Sequence, residues 1–254
     1  MGASFAEALR RTRPEIEIVG VDADPGTLAT ALERGIIRSP GIEGADIVVL
    51  AIPPLAIRDV LPGLPREVLV TDMASTKSRI MTWAGEAGLD FIGGHPMCGR
   101  ETSGIDASDP DLFKGAPWVL TRLDPRIDDL VRAVGSYPVV MDAERHDRLV
   151  AGVSHAAFVL SAAYLLAASS SPDWPEMSAL AAGGFRDMTR LAAGSPAMYA
   201  GIALTNGEHL AEWLRLLEAQ LAKLRRHVEA GDPRLEELFE EAREKRERWL
   251  AEKA

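Results

Sequence analysis

The chain has 254 residues, enough for one large domain or two modest ones. Its 47% hydrophobic and 26% charged residues exclude disorder over most of the length. With 38 Asp and Glu against 28 Lys and Arg, the net charge of −10 excludes general nucleic-acid binding, which depends on neutralising phosphates. Any anionic substrate must be held by a local group of arginines against the overall field. In chain order, Met1–Arg13 lacks the apolar core of a signal peptide. Short β-like and helical runs then alternate. Glu15–Val21 (EIEIVGV) is β-branched and alternating, and Asp46–Ile52 (DIVVLAI) is continuously apolar, as strands buried on both faces tend to be. Further strands are expected at Val68–Thr71, Asp90–Ile92, Trp118–Thr121 and Val139–Met141. Helices are expected between them at Thr27–Arg34, Leu55–Leu61, Ser78–Ala87 and Pro125–Val134. This alternation predicts an α/β fold with a Rossmann-like, doubly wound parallel sheet.

After about Asp142 the β signal stops. A dinucleotide-binding domain is therefore expected over 1–142, and an all-α domain over 143–254. Its helices are expected at Glu144–Ser169, Glu176–Ala193, Ala197–Ala230 and Pro233–Ala251. Leu149–Ala168 has no charged residue, but its alanines with Ser154, His155 and Ser161 dilute the hydrophobicity. A buried helix at the centre of a helical domain or dimer is expected there, and no membrane span. Leu210, Trp213, Leu214, Leu217, Leu221, Leu224 and Val228 step by three and four, the pattern of a core stripe or a dimer seam. Leu235–Ala254 alternates charge signs, as a solvated helix face does. The single cysteine, Cys98, allows neither an intramolecular disulfide nor a multi-cysteine metal site. A cytoplasmic location without a metal is expected.

A dinucleotide fold normally opens with a strand and G-x-G-x-x-G, whose glycines admit a pyrophosphate to a helix N-terminus. Gly2-Ala3-Ser4-Phe5-Ala6 has the form of the end of that fingerprint. Asp22 follows at the spacing of about 20 residues where an acidic group holds the adenosine ribose. The first strand and two glycines are accordingly expected upstream of Met1. The plainer alternative makes Gly2 a terminal residue and Asp22 a turn or cap. Gly93–Gly99 (GGHPMCG) places His95 on a glycine-flanked loop at the sheet's carboxyl edge, where ligands of α/β folds bind. A neutral imidazole there can accept a proton from a substrate hydroxyl; on this segment alone a structural His is the more common case.

GGHPMCGRETSG followed by LFKGAPWVLT closely resembles the HPMAG-x-E-x-SG and LF-x-GA-x-W-x-LTP segments of prephenate and arogenate dehydrogenases. Three further segments match in order: Asp72–Lys77 (D-x-x-S-x-K), His146-Asp147 through Val153-Ser154-His155, and Gly183–Arg190 with Ser195-Pro196 and Asn206. The chain departs from the family pattern at Phe158, where a second His is common, and at Cys98, Arg100 and Thr102. The resemblance implies oxidative decarboxylation of a cyclohexadienol with hydride transfer to NAD, in tyrosine biosynthesis. It implies His95 as acceptor at the substrate hydroxyl and Ser75 beside it. It further implies Arg190, Arg186 and Ser154 as ligands of a dicarboxylate substrate, with His146 and His155 in support or in the core. Gly2, Asp22, Ala51 and Pro53 are the expected NAD contacts, and a homodimer through the helical domain is the expected assembly. Two other classes stay open on the residues alone. A β-hydroxyacid or imine reductase would want a lysine on the first all-α helix, and Leu149–Ala168 has none. A non-catalytic binding protein is the other.

Overall fold

The computed structural model describes residues 1–99, 102 and 104–253. Arg100, Glu101, Ser103 and Ala254 lie outside the described residues. Helix α1 (Gly2–Thr12) buries Phe5, Ala6, Ala8 and Leu9 on one face and carries Arg10 and Arg11 in its last turn, where cations suit the helix dipole. The Asp24 side chain accepts the Thr27 amide at 2.8 Å and, with Pro25, starts α2 (Pro25–Glu33). The apolar run then forms β1 (Ile47–Leu50), followed by α3 (Pro54–Val60), β2 (Leu69–Asp72), α4 (Ser78–Ala87) and β3 (Asp90–Ile92). These strands pair in parallel in the order β1-β2-β3. Strand β2 feeds both faces of the sheet. Leu69 packs with Phe5, Leu9, Trp118 and Ile127, whereas Val70 packs with Ile57, Leu61 and Ile80. That period of two is what a strand between helical layers requires.

One residue after β3, the chain enters β4 (Gly94–Pro96), which pairs antiparallel with β5 (Pro117–Leu120). Beyond α5 (Pro125–Ala133), β6 (Tyr137–Val140) pairs parallel with β5. The described strands thus form two three-stranded sheets, β1-β2-β3 wholly parallel and β4-β5-β6 with one antiparallel pair, in place of the single parallel sheet expected, and β4 carries the histidine. Glu15–Val21 is corrected: no strand forms there. Gly20 makes an isolated parallel bridge to Pro40, and the Arg38 amide donates to Ile18 at 2.7 Å. Among the described residues no strand flanks its other side, so β propensity alone does not build a ladder.

The helical part runs α6 (Ala143–Val150), one π-helical turn (Ala151–His155), α7 (Ala156–Ser169), α8 (Trp174–Leu180), α9 (Gly183–Thr189), α10 (Pro196–Thr205), α11 (Gly207–Glu229) and α12 (Arg234–Ala251). The helix expected over Ala197–Ala230 is broken at Asn206, which leaves helical geometry at φ −128°, ψ 35°. Its side chain is used for tertiary hydrogen bonds instead. By length and composition alone Ala143–Ser169 could cross a membrane, and a third of its most apolar window is buried. Two compact units result, Met1–Leu210 and Ala211–Ala254. Within the second, Leu216, Leu221 and Val228 are exposed.

Candidate active site

His95 lies in the middle of β4, opposite Val119, and is buried. Its Nδ1 is 2.8 Å from Nε2 of His146 on α6. His146 Nδ1 is 2.8 Å from Asp147 Oδ1. The same carboxylate accepts the amides of Lys77 at 2.7 Å and Ser78 at 2.8 Å, and so holds the first turn of α4. The proton positions follow from this network. Three donors converge on Asp147, so it is a carboxylate and His146 carries its proton on Nδ1. Where that is the only proton on His146, its Nε2 accepts and His95 donates from Nδ1. His95 Nε2 is left with a lone pair.

Burial, then the neighbouring His146, Lys77 and His155, hold His95 well below the ordinary histidine value of 6.5. The ring is therefore neutral and able to accept at neutral pH. Burial works to raise Asp147, but the bonds from His146 and from the amides of Ser78 and Lys77 outweigh it, and its carboxyl sits below its usual range.

Ser75 is half-buried in the loop between β2 and α4. Its carbonyl approaches His155, whose Nδ1 accepts from the Asn206 amide at 3.1 Å. Asn206 also donates to the Asp147 carbonyl at 2.7 Å. Burial pushes His155 down to about 4, and its Nε2 is buried without a completed hydrogen bond. Beneath the loop, Asp72 and Lys77 form a fully buried ion pair. Asp72 accepts the Ala74 amide at 3.0 Å and the Gly94 amide at 2.9 Å, while Lys77 Nζ donates to the Gly94 carbonyl at 2.6 Å. Burial raises Asp72 and lowers Lys77, and each opposes that shift in the other.

Ser154 belongs to the π-helical turn, next to His155. Helix α9 stops at Thr189 and Arg190 opens a 3₁₀ turn, so the expected common helix face of Arg186 and Arg190 is not continuous. Both side chains are exposed. Arg190 opposes the burial that raises the Tyr199 phenol, so the two are close. Tyr199 stacks on Phe158 at 4.1 Å and 3°, and Phe158 lies 6.2 Å from His155. A line of rings thus connects His155 to Arg190. Among the described residues nothing joins Arg186 to this cluster.

At the other edge, a Cβ on Gly2 would lie 3.1 Å from that of Ala51, which places the start of α1 against the carboxyl end of β1. The first turn of α1 has neither a side-chain cap nor an acidic residue, a fit for an anion. Asp22 is exposed, with Oδ1 accepting the Asp24 amide at 2.9 Å, and Pro53 is exposed at the start of α3. Among the described residues no group of three or more His, Cys, Asp or Glu could hold a metal ion.

Residues 5–136 match the nucleotide-binding domain of prephenate dehydrogenase, and residues 142–244 match the dimerization domain of prephenate dehydrogenase. Prephenate dehydrogenase of Lactococcus lactis subsp. cremoris is 32% identical over 97% of this chain and 74% of its own length. This chain belongs to the prephenate dehydrogenase family. That of Bacillus subtilis is 31% identical over 91% of this chain and 68% of its own length. Among solved structures, prephenate dehydrogenase from Aquifex aeolicus in complex with hydroxyphenyl propionate and NAD+ aligns with a TM-score of 0.88 at 28% identity, over 98% of this chain and 94% of that one. Synechocystis arogenate dehydrogenase aligns with a TM-score of 0.76 at 29% identity, over 97% and 95%.

In this prephenate dehydrogenase family member, the sequence named His95 and Ser75 as candidates, left His146 in support and gave Asp147 no task. The adjacent His146-Asp147 pair at the start of an amphipathic helix was the available signal. Tyr199 gave none, since a tyrosine in an apolar helix reads as core.

Proposed function

We propose that this protein catalyses the oxidative decarboxylation of prephenate, or of arogenate, to 4-hydroxyphenylpyruvate or tyrosine, with hydride transfer to NAD, in tyrosine biosynthesis. One observation carries the reading. The Asp147–His146–His95 chain leaves a neutral imidazole with Nε2 free to accept, as removal of a proton from a carbinol requires. As C4–H leaves as hydride, the C4 hydroxyl gives its proton to His95 Nε2 and C4 becomes a carbonyl. Carbon dioxide then leaves C1, its bonding pair moves through the ring to the C4 oxygen, and His95 returns the proton to the phenolate. NAD, when bound, accepts the hydride. Ser75 is the expected second partner of the hydroxyl. Arg190, with Ser154 and Arg186, is assigned to the substrate carboxylates, since a guanidinium binds a carboxylate through two parallel bonds. Gly2, Asp22, Ala51 and Pro53 are assigned to NAD: the start of α1 suits the pyrophosphate and Asp22 the ribose hydroxyls.

In this reading residues 1–142 bind the dinucleotide, and 143–254 supply substrate contacts and a homodimer seam. Exposed Val153, Leu166 and Leu204 support the seam. Cys98 is a free thiol, in keeping with a reducing cytoplasm. The test is direct: purified protein with NAD and either prephenate or arogenate, following NADH absorbance and carbon dioxide release together. One equivalent of each per turnover is expected. NADH without carbon dioxide, or neither, would overturn the assignment.

A further inference from the structure

We infer that the buried Asp72–Lys77 pair is a positioning device that holds Ser75 and His95 in mutual register; the inference rests on the function proposed above. Both side chains have 0% exposure, a costly burial that an apolar pair would avoid, so a task beyond filling space is called for. The bonding pattern supplies it. Both backbone polar atoms of Gly94, the residue before His95, end on the pair: its amide on Asp72 Oδ1 at 2.9 Å and its carbonyl on Lys77 Nζ at 2.6 Å. The amide of Ala74, the residue before Ser75, ends on Asp72 Oδ2 at 3.0 Å. One carboxylate thereby ties down the residue preceding each of the two proposed reactive side chains. Gly94 makes the approach possible, because a Cβ there would collide with the backbone oxygen of Asp72.

The pair also closes a ring. From Lys77 Nζ the path runs through the Gly94 carbonyl into the His95 backbone and its imidazole. It continues through His146 to Asp147 and returns to the Lys77 amide at 2.7 Å. A shift in any member is transmitted to the next. The titratable groups facing His95 are His146 and Lys77 within the ring and His155 outside it, with the Asp72 and Asp147 carboxylates behind them. Neither member of the pair is required to touch substrate; both act through the backbone on each side of the site.

The experiment compares wild type with Lys77→Met, Asp72→Asn and the double variant, by thermal melting, steady-state kinetics and ¹⁵N NMR of labelled histidines, with His95 assigned by its loss in His95→Asn. Lys77→Met alone melts lower, because an unpaired carboxylate is left buried. The double variant removes that charge and regains melting temperature. Its kcat nevertheless stays down by roughly 10²-fold, the scale of a misplaced reacting group, with KM for NAD unchanged. Its His95 ring passes from one Nδ1–H tautomer to an average of two. Asp72→Asn, which retains an oxygen for only one of the two amides, shows the same changes and serves if the lysine variants do not fold. Recovery of kcat in step with melting temperature, or an unaltered His95 ring signal, would overturn the inference. Wild type inactive on prephenate and arogenate would overturn the proposed function instead, and the ring signals, which need no substrate, would still decide this one.

Discussion

His95 and His146 meet edge to face, ring planes 78° apart, joined by one hydrogen bond of 2.8 Å from Nδ1 to Nε2. Asp147 fixes the far end of that contact, so a carboxylate that does not touch His95 determines which nitrogen of His95 is free.

This relay has a kinetic consequence. His95→Asn removes the acceptor and should lower kcat by about 10²–10⁴ with KM little changed. His146→Phe keeps the base but deletes its partner, so a smaller fall in kcat is expected. The acid limb of kcat/KM should also move up towards 6.5, because His146 is among the groups holding His95 below that value. A profile identical to wild type in His146→Phe would detach His146 from the reaction.

Arg190 should act on substrate and not on NAD. Leaving a bound carboxylate without its charged partner costs about 2–5 kcal/mol, so Arg190→Gln should raise KM for prephenate far more than KM for NAD. Equal changes in both would assign Arg190 to the fold through Tyr199.

Asp22 should set the choice of dinucleotide. A carboxylate accepts from two ribose hydroxyls and repels a 2′-phosphate. NAD is thus expected to be preferred to NADP, and Asp22→Ala should narrow the ratio. An intact protein that prefers NADP would remove Asp22 from the site.

The buried imidazoles also predict acid sensitivity. His95 and His155 titrate below 6.5 in the folded protein, His155 at about 4. The unfolded chain binds more protons in that interval, so stability rises with pH there. These two groups add no penalty above 6.5 and a growing one as pH falls from 6.5 towards 4. Melting temperature should decline over that window, and less steeply in His155→Gln. Parallel slopes in the two proteins would show that His155 does not contribute.

The exposed apolar side chains of α7 supply the last expectation. Leu166, 68% exposed in the single chain, would be covered in a homodimer. Leu166→Glu should shift the mass measured by light scattering towards one chain. An unchanged mass would place the seam elsewhere.

Much of this architecture was legible because it is local. Ser78–Ala87 and Asp90–Ile92 have the boundaries that the apolar pattern predicts, since periodicity and the turns beside them agree. Glu15–Val21 was not legible, because a strand is completed by neighbours that its own sequence does not name. The break at Asn206 was missed for a related reason: its side chain serves Asp147 and His155, 59 and 51 residues away. The site divided in the same way. His95 and Ser75 were both candidates through the resemblance, since a lone His in a glycine-rich turn is more often structural. The Asp72–Lys77 pair sat inside a quoted motif without a role, because only the fold brings Gly94 between the two charges.

The π-helical turn at Ala151–His155 sets the phase of everything after it. A straight α-helix rotates about 100° per residue, so His146 and His155 would leave opposite sides of it. The one residue that a π turn absorbs takes back about 100°, and both imidazoles enter the same buried cluster. The turn is in effect a single-residue insertion that keeps two rings in step. Shortening Ala151–Ser154 by one residue would restore regular helix at little cost in backbone hydrogen bonding. Phe158, Ser161 and the rest of α7 would keep their phase relative to α6, because eight α-helical steps give the same net rotation, about 80°, as nine steps with one residue absorbed. The net rotation across this turn is therefore what brings the two imidazoles together, in a stretch where composition alone suggests nothing more than a greasy helix.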